Sequence, residues 1–178
     1  MRKKRRLLVL LLLSLMMFSG IYYYLSTNSN FEIGASSKIV KKVMEEQETI
    51  YFGYQFHFEG YGNPTIENVY VVQTDGTINQ PSNQQILITP LIDTSGKIGV
   101  LYEEHILEEG LSNSIAPVQG FKSKDHNYNI AFKVELKDES FDQDFHAFII
   151  EYHHLGMLKT QSLDFEGFFS NETAMIVE

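Results

Sequence analysis

The first 25 residues constrain this chain more tightly than any other feature. Residues 2–6 are all basic, and the next nineteen, LLVLLLLSLMMFSGIYYYL (7–25), carry no charge. As a helix this run is about 28 Å long, close to the hydrocarbon thickness of a bilayer. A soluble core does not need so long an apolar run behind a basic leader. The sequence therefore predicts a transmembrane helix over residues 7–25.

The flanks of this helix predict its orientation. The tail of residues 1–6, with its five basic side chains, favours the cytoplasm, and Tyr22, Tyr23 and Tyr24 suit the opposite interface, so the rest of the chain is expected outside. A cleaved signal peptide is the alternative, but its apolar region is shorter, and the only small-x-small site is Thr27-Asn28-Ser29. We expect an uncleaved signal-anchor in the cell membrane.

Charge and cysteine content exclude several classes of function. From residue 50 onward the chain has 6 Lys, no Arg and 19 acidic residues, a net charge of −13. Such a surface repels nucleic acids, because it lacks the cations that neutralise phosphates. The absence of cysteine excludes disulfides, thiolate metal sites and cysteine nucleophiles. An extracytoplasmic domain of this chain must be stable through its core alone.

Residues 26–49 are expected to connect the membrane helix to a domain. STNSN (26–30) has the composition of a polar tether. Residues 36–48 have apolar side chains at helical spacing, from Ile39 to Met44, which predicts a short amphipathic helix. A solvated stalk is the simplest interpretation, and a helix packed on the domain or on the membrane is the alternative.

From residue 50 the hydrophobic period changes to two, which is typical of strands. Predicted strands cover 50–59, 66–74, 85–92, 97–104, 115–121, 127–137, 145–153 and 159–168. Asp75-Gly76 and the DTSG segment 93–96 are hairpin signals. Residues 105–110 suggest one helical turn that ends at Gly110. The last residues, 171–178, are expected to form a tail.

The aromatic content indicates how these strands pack. Ile50, Phe52, Tyr54, Phe56 and Phe58 share one parity, and the chain has 13 Phe and 10 Tyr but no Trp. Such a row fills the gap of about 10 Å between two packed sheets. We therefore expect residues 50–170 to form an antiparallel immunoglobulin-like β-sandwich of seven to eight strands. A small barrel is the alternative, and a ligand groove lined by the rings is a lesser one.

An acidic loop is the first candidate for chemistry. Asp138, Glu139, Asp142 and Asp144 offer the carboxylate oxygens that Ca²⁺ prefers. Their spacing does not match an EF-hand, because no Gly stands at the sixth position and no Glu at the twelfth. A solvated charged loop is the simpler interpretation.

Histidines and a loop tyrosine are the remaining candidates. His146 and His154 lie too far apart on one strand to share a metal ion, so a metal site would need His57 or His126 from a neighbouring strand. Tyr61, between two glycines, is a candidate partner-binding residue at the end of the domain.

The sequence favours a binding module over an enzyme. It has no nucleophile elbow, HExxH, Walker loop or dinucleotide fingerprint, and it implies no cofactor and names no catalytic residue. The basic leader, absent cysteine and short tether resemble, in composition, small membrane-anchored proteins of Gram-positive bacteria over the first thirty residues. We expect a membrane-anchored extracytoplasmic module that binds a protein or an envelope component. The alternatives are an envelope hydrolase with a site built across strands, and a secreted domain for calcium or a small molecule.

Overall fold

The computed structural model of this chain describes residues 2–35, 37–46, 49–97, 99–138 and 140–170. The helices are α1 (Arg2–Thr27), α2 (Lys41–Glu46) and α3 (Glu103–Glu108), and a 3-10 turn covers Leu111–Ser114. The strands are β1 (Asn30–Ala35), β2 (Ile39–Val40), β3 (Ile50–Glu59), β4 (Thr65–Gln73), β5 (Ile86–Asp93), β6 (Val100–Tyr102), β7 (Ile115–Pro117), β8 (Asn127–Leu136), β9 (Phe145–His154), β10 (Met157–Asp164) and β11 (Phe169–Ser170).

Two antiparallel sheets carry the fold. The larger has the strand order β1-β3-β8-β5-β7, with β6 paired to the start of β3, and the smaller has the order β10-β9-β4. The short strands β2 and β11 pair in parallel. The prediction of a mostly β chain with antiparallel sheets and one apolar N-terminal helix is confirmed. The described strands leave both sheets open, so they do not form the small barrel considered as an alternative.

An aromatic core joins the two sheets. The five side chains from Ile50 to Phe58 that share one parity are buried, as predicted from their alternation. Phe132 of the larger sheet stacks on Phe148 of the smaller one with ring centroids 4.7 Å apart. Phe148 also stacks on Phe165 at 3.9 Å. Each such ring removes about 150–250 Å² from water, so a core without cysteine or tryptophan can hold the sheets together.

The hairpin predicted at DTSG is wrong at the level of strand pairing, whereas Asp75-Gly76 does reverse the chain in a short antiparallel turn. The DTSG turn follows β5, but β5 pairs with β8 and β7, whereas β6 pairs with β3. After Asp75-Gly76 the chain pairs briefly with the end of β4, through the bridge from Val72 to Ile78 and a 2.8 Å hydrogen bond from the Asn79 N–H to the Val71 carbonyl, and β4 itself pairs with β9. Turn residues fix a local reversal of the chain, but the pairing partner is set by which apolar faces meet in the core.

Residues 30–46 differ from the expected tether and stalk. Residues 30–35 form β1, which pairs along β3 from Asn30 with Glu59 to Ala35 with Gln55. The helical part of the predicted stalk shrinks to α2, and its Met44 is only 1% exposed. The packed alternative therefore describes this segment. Ser36, Gln47 and Glu48, which belonged to the helical pattern, lie outside the described residues.

The end of α1 is bonded directly to the β domain. Lys159 Nζ donates hydrogen bonds to the Ser26 carbonyl and, at 2.7 Å, to Ser29 Oγ. Ser29 Oγ also lies 3.2 Å from His154 Nδ1. A Cβ at Gly60 would lie 2.7 Å from the Cβ of Ser29, so only glycine lets these two segments approach so closely. Residues 26–29 therefore form a packed junction, which we call the α1 junction.

The rest of α1 is apolar and exposed. Its stretch Lys4–Thr27 is long and apolar enough to cross a membrane. Within the described part of the chain, the side chains from Leu7 to Phe18 are exposed. An exposed apolar helix of this length is typical of a membrane span or of a signal sequence.

Candidate functional site

The outer face of the larger sheet carries a concave surface with several polar side chains. Two adjoining cavities meet at Asn129 of β8, with volumes of about 470 and 230 Å³. We call them together the outer groove. The larger part is lined mainly by Asp93, Thr94, Lys122, Lys124, Asn127 and Asn129. The smaller part is lined mainly by Ser37, Gly53, Gln55, Gly96, Gly99 and Asn129.

The sheet supplies the floor of the outer groove. In β8 the apolar side chains Tyr128 and Ile130 point into the core, so Asn127 and Asn129 face outward by alternation. Gln55 of β3 pairs with Asn129 in register, which sets two amides side by side. An amide offers both a donor and an acceptor, so this floor suits a polar, hydrogen-bonding ligand.

A small second core closes one end of the groove. Tyr51 and Ala131 lie on the outer face of the sheet, and Ile106 of α3 and Leu111 of the 3-10 turn cover them. Tyr51 Oη donates a hydrogen bond to Glu103 at 3.1 Å, which ties α3 to the sheet. Ile106 and Leu111 cover the outer face of the larger sheet near the start of β3. The part of this face that carries Gln55 and Asn129 stays open to solvent.

The segment between β5 and β6 forms one wall. Asp93 accepts hydrogen bonds from the backbone N–H of Ser95 at 2.8 Å and from its hydroxyl at 2.5 Å. Thr94 donates to the Ser114 carbonyl through both its N–H and its hydroxyl. Gly96 has φ +65°, and a Cβ there would lie 3.2 Å from Asn129 Nδ2. Glycine is therefore needed where this wall passes over the floor.

The opposite wall carries charge. Lys122 and Lys124 are exposed on the loop before β8, and the Ser123 hydroxyl between them donates to Asp125 at 2.7 Å. This bond and those from Asn127 lower the pKa of the Asp125 carboxyl, so the loop holds a carboxylate as well as two cations. The total volume lies in the usual range for small-ligand sites.

The predicted cation ligands are not gathered around one point. Asp138 accepts a hydrogen bond from the Ser140 N–H within its own turn, and Asp142 is exposed. Asp144 accepts from the N–H groups of Phe145 at 2.8 Å and Phe168 at 3.1 Å. Burial raises the pKa of the Asp144 carboxyl, and these bonds lower it in part. Glu139 lies outside the described residues.

Asp144 instead holds the C-terminal part of the domain. Gly167 has φ +86°, and a Cβ there would lie 2.2 Å from Asp144 Oδ2, so glycine is required for this contact. Among the described residues, no group of three or more His, Asp or Glu side chains is placed to hold a metal ion. The calcium hypothesis for Asp138, Glu139, Asp142 and Asp144 stays an untested prediction.

His154 has a buried structural position, whereas His57 and His146 are exposed. His154 is buried, with Nδ1 near Ser29 Oγ and Nε2 2.7 Å from the Tyr61 carbonyl. In a catalytic triad the second ring nitrogen of the histidine bonds to a carboxylate, whereas in His154 it bonds to the Tyr61 carbonyl. Ser29 and His154 therefore do not form a triad. His57 Nδ1 lies 3.0 Å from Asn127 Oδ1 beside the groove. His146 is exposed on β9.

Tyr61, the predicted partner-binding residue, is the most exposed tyrosine of the β domain, with 67% of its surface accessible. Its carbonyl is held by His154, so the backbone is fixed while the ring is free to contact a partner. Whether it does so stays a prediction.

No protein-family model, curated protein or solved structure matches this chain. Sequence reasoning missed Asn127, Asn129 and the β5–β6 wall, because outward polar side chains on a strand look alike whether they line a groove or face bulk water. The three glycines of the smaller cavity, at 53, 96 and 99, were the available signal, since glycine in or beside a strand often marks a close approach.

Proposed function

We propose that this protein is a single-pass membrane protein whose β domain lies outside the cytoplasm and binds a polar ligand or partner in the outer groove. The observation that carries the proposal is the meeting of two cavities at Asn129, above a floor of paired amides. The apolar helix α1 supports the anchor, and the basic residues 2–6 support a cytoplasmic N-terminus by the positive-inside rule.

We also propose that the domain is an immunoglobulin-like sandwich. The orders β1-β3-β8-β5 and β10-β9-β4 correspond to the A-B-E-D and G-F-C sheets of the constant-type domain, read in chain order. The stacking of Phe132 on Phe148 across the two sheets supports the same arrangement. The chain departs from antibody domains in lacking the cysteine pair and the tryptophan.

Site-specific photocrosslinking in intact membranes tests the binding groove. A photoreactive residue in place of Gln55, on the groove floor, is expected to give an adduct. The same residue in place of Ser162, exposed on β10 of the other sheet, is the control and is expected to give none. Equal adducts at both positions would mean that the contact is not specific to the groove.

A blocking variant sharpens this test. Asn129→Phe puts a ring where the two cavities meet, and it is expected to abolish the adduct at position 55. Ser162→Phe, which adds the same ring to an exposed strand position of the other sheet, should leave the adduct intact. A groove adduct that survives Asn129→Phe, in a variant with wild-type protease resistance, would refute the assignment of the outer groove.

A further inference from the structure

One end of the β domain is held at the level of the membrane helix. Tyr22 Oη donates a 2.6 Å hydrogen bond to the carbonyl of Leu155, in the turn between β9 and β10. The apolar run of α1 ends at Leu25, and Tyr22 lies about 4.5 Å before that end along the helix axis. Helical side chains also lean toward the N-terminus, which takes the Tyr22 ring farther along the run. The β9–β10 turn therefore lies beside the apolar run of α1 and not beyond it.

The turn itself is apolar where polar residues are normal. Leu155 and Gly156 have φ of +49° and +79°, the two-residue turn that usually carries Asn-Gly or Asp-Gly. A leucine in the left-handed region is sterically disfavoured. Leu155 is only partly buried and nearby Leu158 is 60% exposed, so the domain core does not account for these apolar side chains.

Two further loops lie at the same end. The Tyr61 carbonyl is bonded to His154, which sets the β3–β4 loop beside the β9–β10 turn. Asn63 Nδ2 donates to the Ser123 carbonyl at 2.6 Å, which brings in the loop before β8. The three loops thus lie at one end of the domain, where the ring of Tyr61 is exposed.

The loops at this end of the domain carry exposed lysines as well as bordering carboxylates. Segments 60–66, 118–124 and 152–163 contain no Asp or Glu, but Glu59, Glu67 and Asp125 border them, and Glu67 lies 3.7 Å from His153. The same segments hold three of the 6 lysines from residue 50 onward, at positions 122, 124 and 159. Asp125 follows directly, with its carboxylate bonded within its own loop. The exposed Lys122 and Lys124 can attract anionic lipid headgroups at this end.

We propose that Tyr61, Leu155 and Leu158, flanked by Lys122 and Lys124, sit in the headgroup layer of the membrane that α1 spans. We call these five residues the membrane-facing end. The inference rests on the proposed function, which supplies the membrane. Lipid is the occupant because the Tyr22–Leu155 hydrogen bond fixes the depth of the turn, and because tyrosine and lysine are the residues that suit this interface.

Fluorescence quenching on the full chain in vesicles of phosphatidylcholine and phosphatidylglycerol tests this contact. The chain has no cysteine, so single-cysteine variants at Tyr61 and Leu158 can be labelled with a polarity-sensitive dye without background. Lipids with a quencher near the headgroup are expected to quench both labels. Ser82→Cys is the control and should stay unquenched, because β4 separates it from this end by about 30 Å.

A second label distinguishes the membrane-facing end from the α1 anchor. It replaces Phe18, inside the apolar run, and it is read with a quencher placed deep in the acyl chains. Quenching at position 18 without headgroup quenching at 61 and 158 would overturn the membrane-facing end and leave the anchor intact. A label at 18 that no lipid quenches would overturn the anchor, and the inference with it. Equal quenching at 82 would also overturn the inference, since it would mean that the domain lies on its side.

A charge variant tests the apolar contact directly. Leu158→Glu is expected to lower the quenching of the Tyr61 label at least twofold, because a carboxylate is excluded from the anionic headgroup layer. Leu107→Glu is the matched control, since Leu107 is 64% exposed on α3, toward the other end of the domain. Unchanged quenching in Leu158→Glu would overturn the proposal. The proposal would also be overturned if the label at position 61 were shielded from water in native membranes but not in lipid vesicles. That result would indicate a protein partner.

Discussion

Buried tyrosine hydroxyls pin the loops of this domain to its core. Tyr54 Oη donates to the Ser37 carbonyl at 2.9 Å, and Tyr128 Oη donates to the Pro64 carbonyl at 2.7 Å. Both rings belong to the aromatic core, so each one satisfies a loop carbonyl from a buried position. Burial raises the pKa of both phenols, that of Tyr128 to about 12, because the phenolate is poorly solvated there.

These phenols predict a loss of stability at high pH. A group whose folded-state pKa is raised contributes stability that is complete below its unfolded pKa, about 10 for tyrosine, and that is lost as pH rises through the folded value. We expect the denaturant midpoint of the domain to fall between about pH 10 and pH 12. Circular dichroism should decay together with the growth of tyrosinate absorbance.

The Tyr128→Phe variant is the control for this pH dependence. It loses the bond to Pro64, so it starts from a lower stability, but its midpoint should fall less steeply over the same range. Ellipticity that stays constant while all tyrosines ionise would contradict the expectation.

At the scale of elements, β1 makes the segment after α1, which was expected to be a tether, part of the β domain. Phe31 is 1% exposed and its ring contacts those of Phe58, Tyr128 and Tyr152 at 5.0–5.2 Å. β1 pairs with residues 55–59 of β3, and β6 pairs with residues 50–52 along the same edge of that strand. The segment after α1 therefore supplies a core residue as well as a strand.

Phe31→Ala is expected to lower the free energy of unfolding by about 3–5 kcal/mol, because it removes a buried ring and leaves a cavity. Denaturant titration of the full chain in detergent, followed by circular dichroism in the β region, gives this value. Leu107→Ala, at an exposed apolar position, should stay within about 0.5 kcal/mol of wild type. A similar small effect in Phe31→Ala would restore the picture of a solvated tether.

The elements that the sequence predicted well are those with long aromatic alternation. β3 and β8 have ten residues each and their inward rows were read correctly, because large rings at period two fit only a half-buried strand. β1 was missed because its six residues offer only Phe31 and Ile33 after a polar segment. The pairing across DTSG was predicted wrongly because turn residues act locally and do not select the partner strand. The outer groove was missed because it depends on how a loop crosses the sheet.

At the scale of the whole molecule, the α1 junction decides how the domain is held. The Lys159 ammonium lies at the C-terminal end of α1, where the helix dipole favours a cation. Burial lowers the pKa of Lys159, because the charged form loses solvation. Ser26 and Ser29 are buried around it, so the helix and the domain share a polar but enclosed contact.

Loss of this lysine is expected to loosen the domain relative to α1. Spin labels at Met16 of α1 and Ser162 of β10, with the full chain in vesicles, should give a narrow distance distribution by pulsed electron paramagnetic resonance. Lys159→Ala should broaden it, because the Ser26 carbonyl and the Ser29 hydroxyl lose their donor. Lys97→Ala removes an exposed lysine as the control. Equal widths in both variants would mean that the junction does not depend on Lys159.

Because the α1 junction is hydrogen-bonded, a tilt of α1 also tilts the β domain. A transmembrane helix leans when the bilayer is thinner than its apolar run, commonly by about 20°. In a membrane, a domain fixed to α1 must lean with it, and a strand of nine residues such as β4 is about 30 Å long. The far end of the domain is then carried sideways by about 10 Å. Bilayer thickness would thus set where this protein can reach.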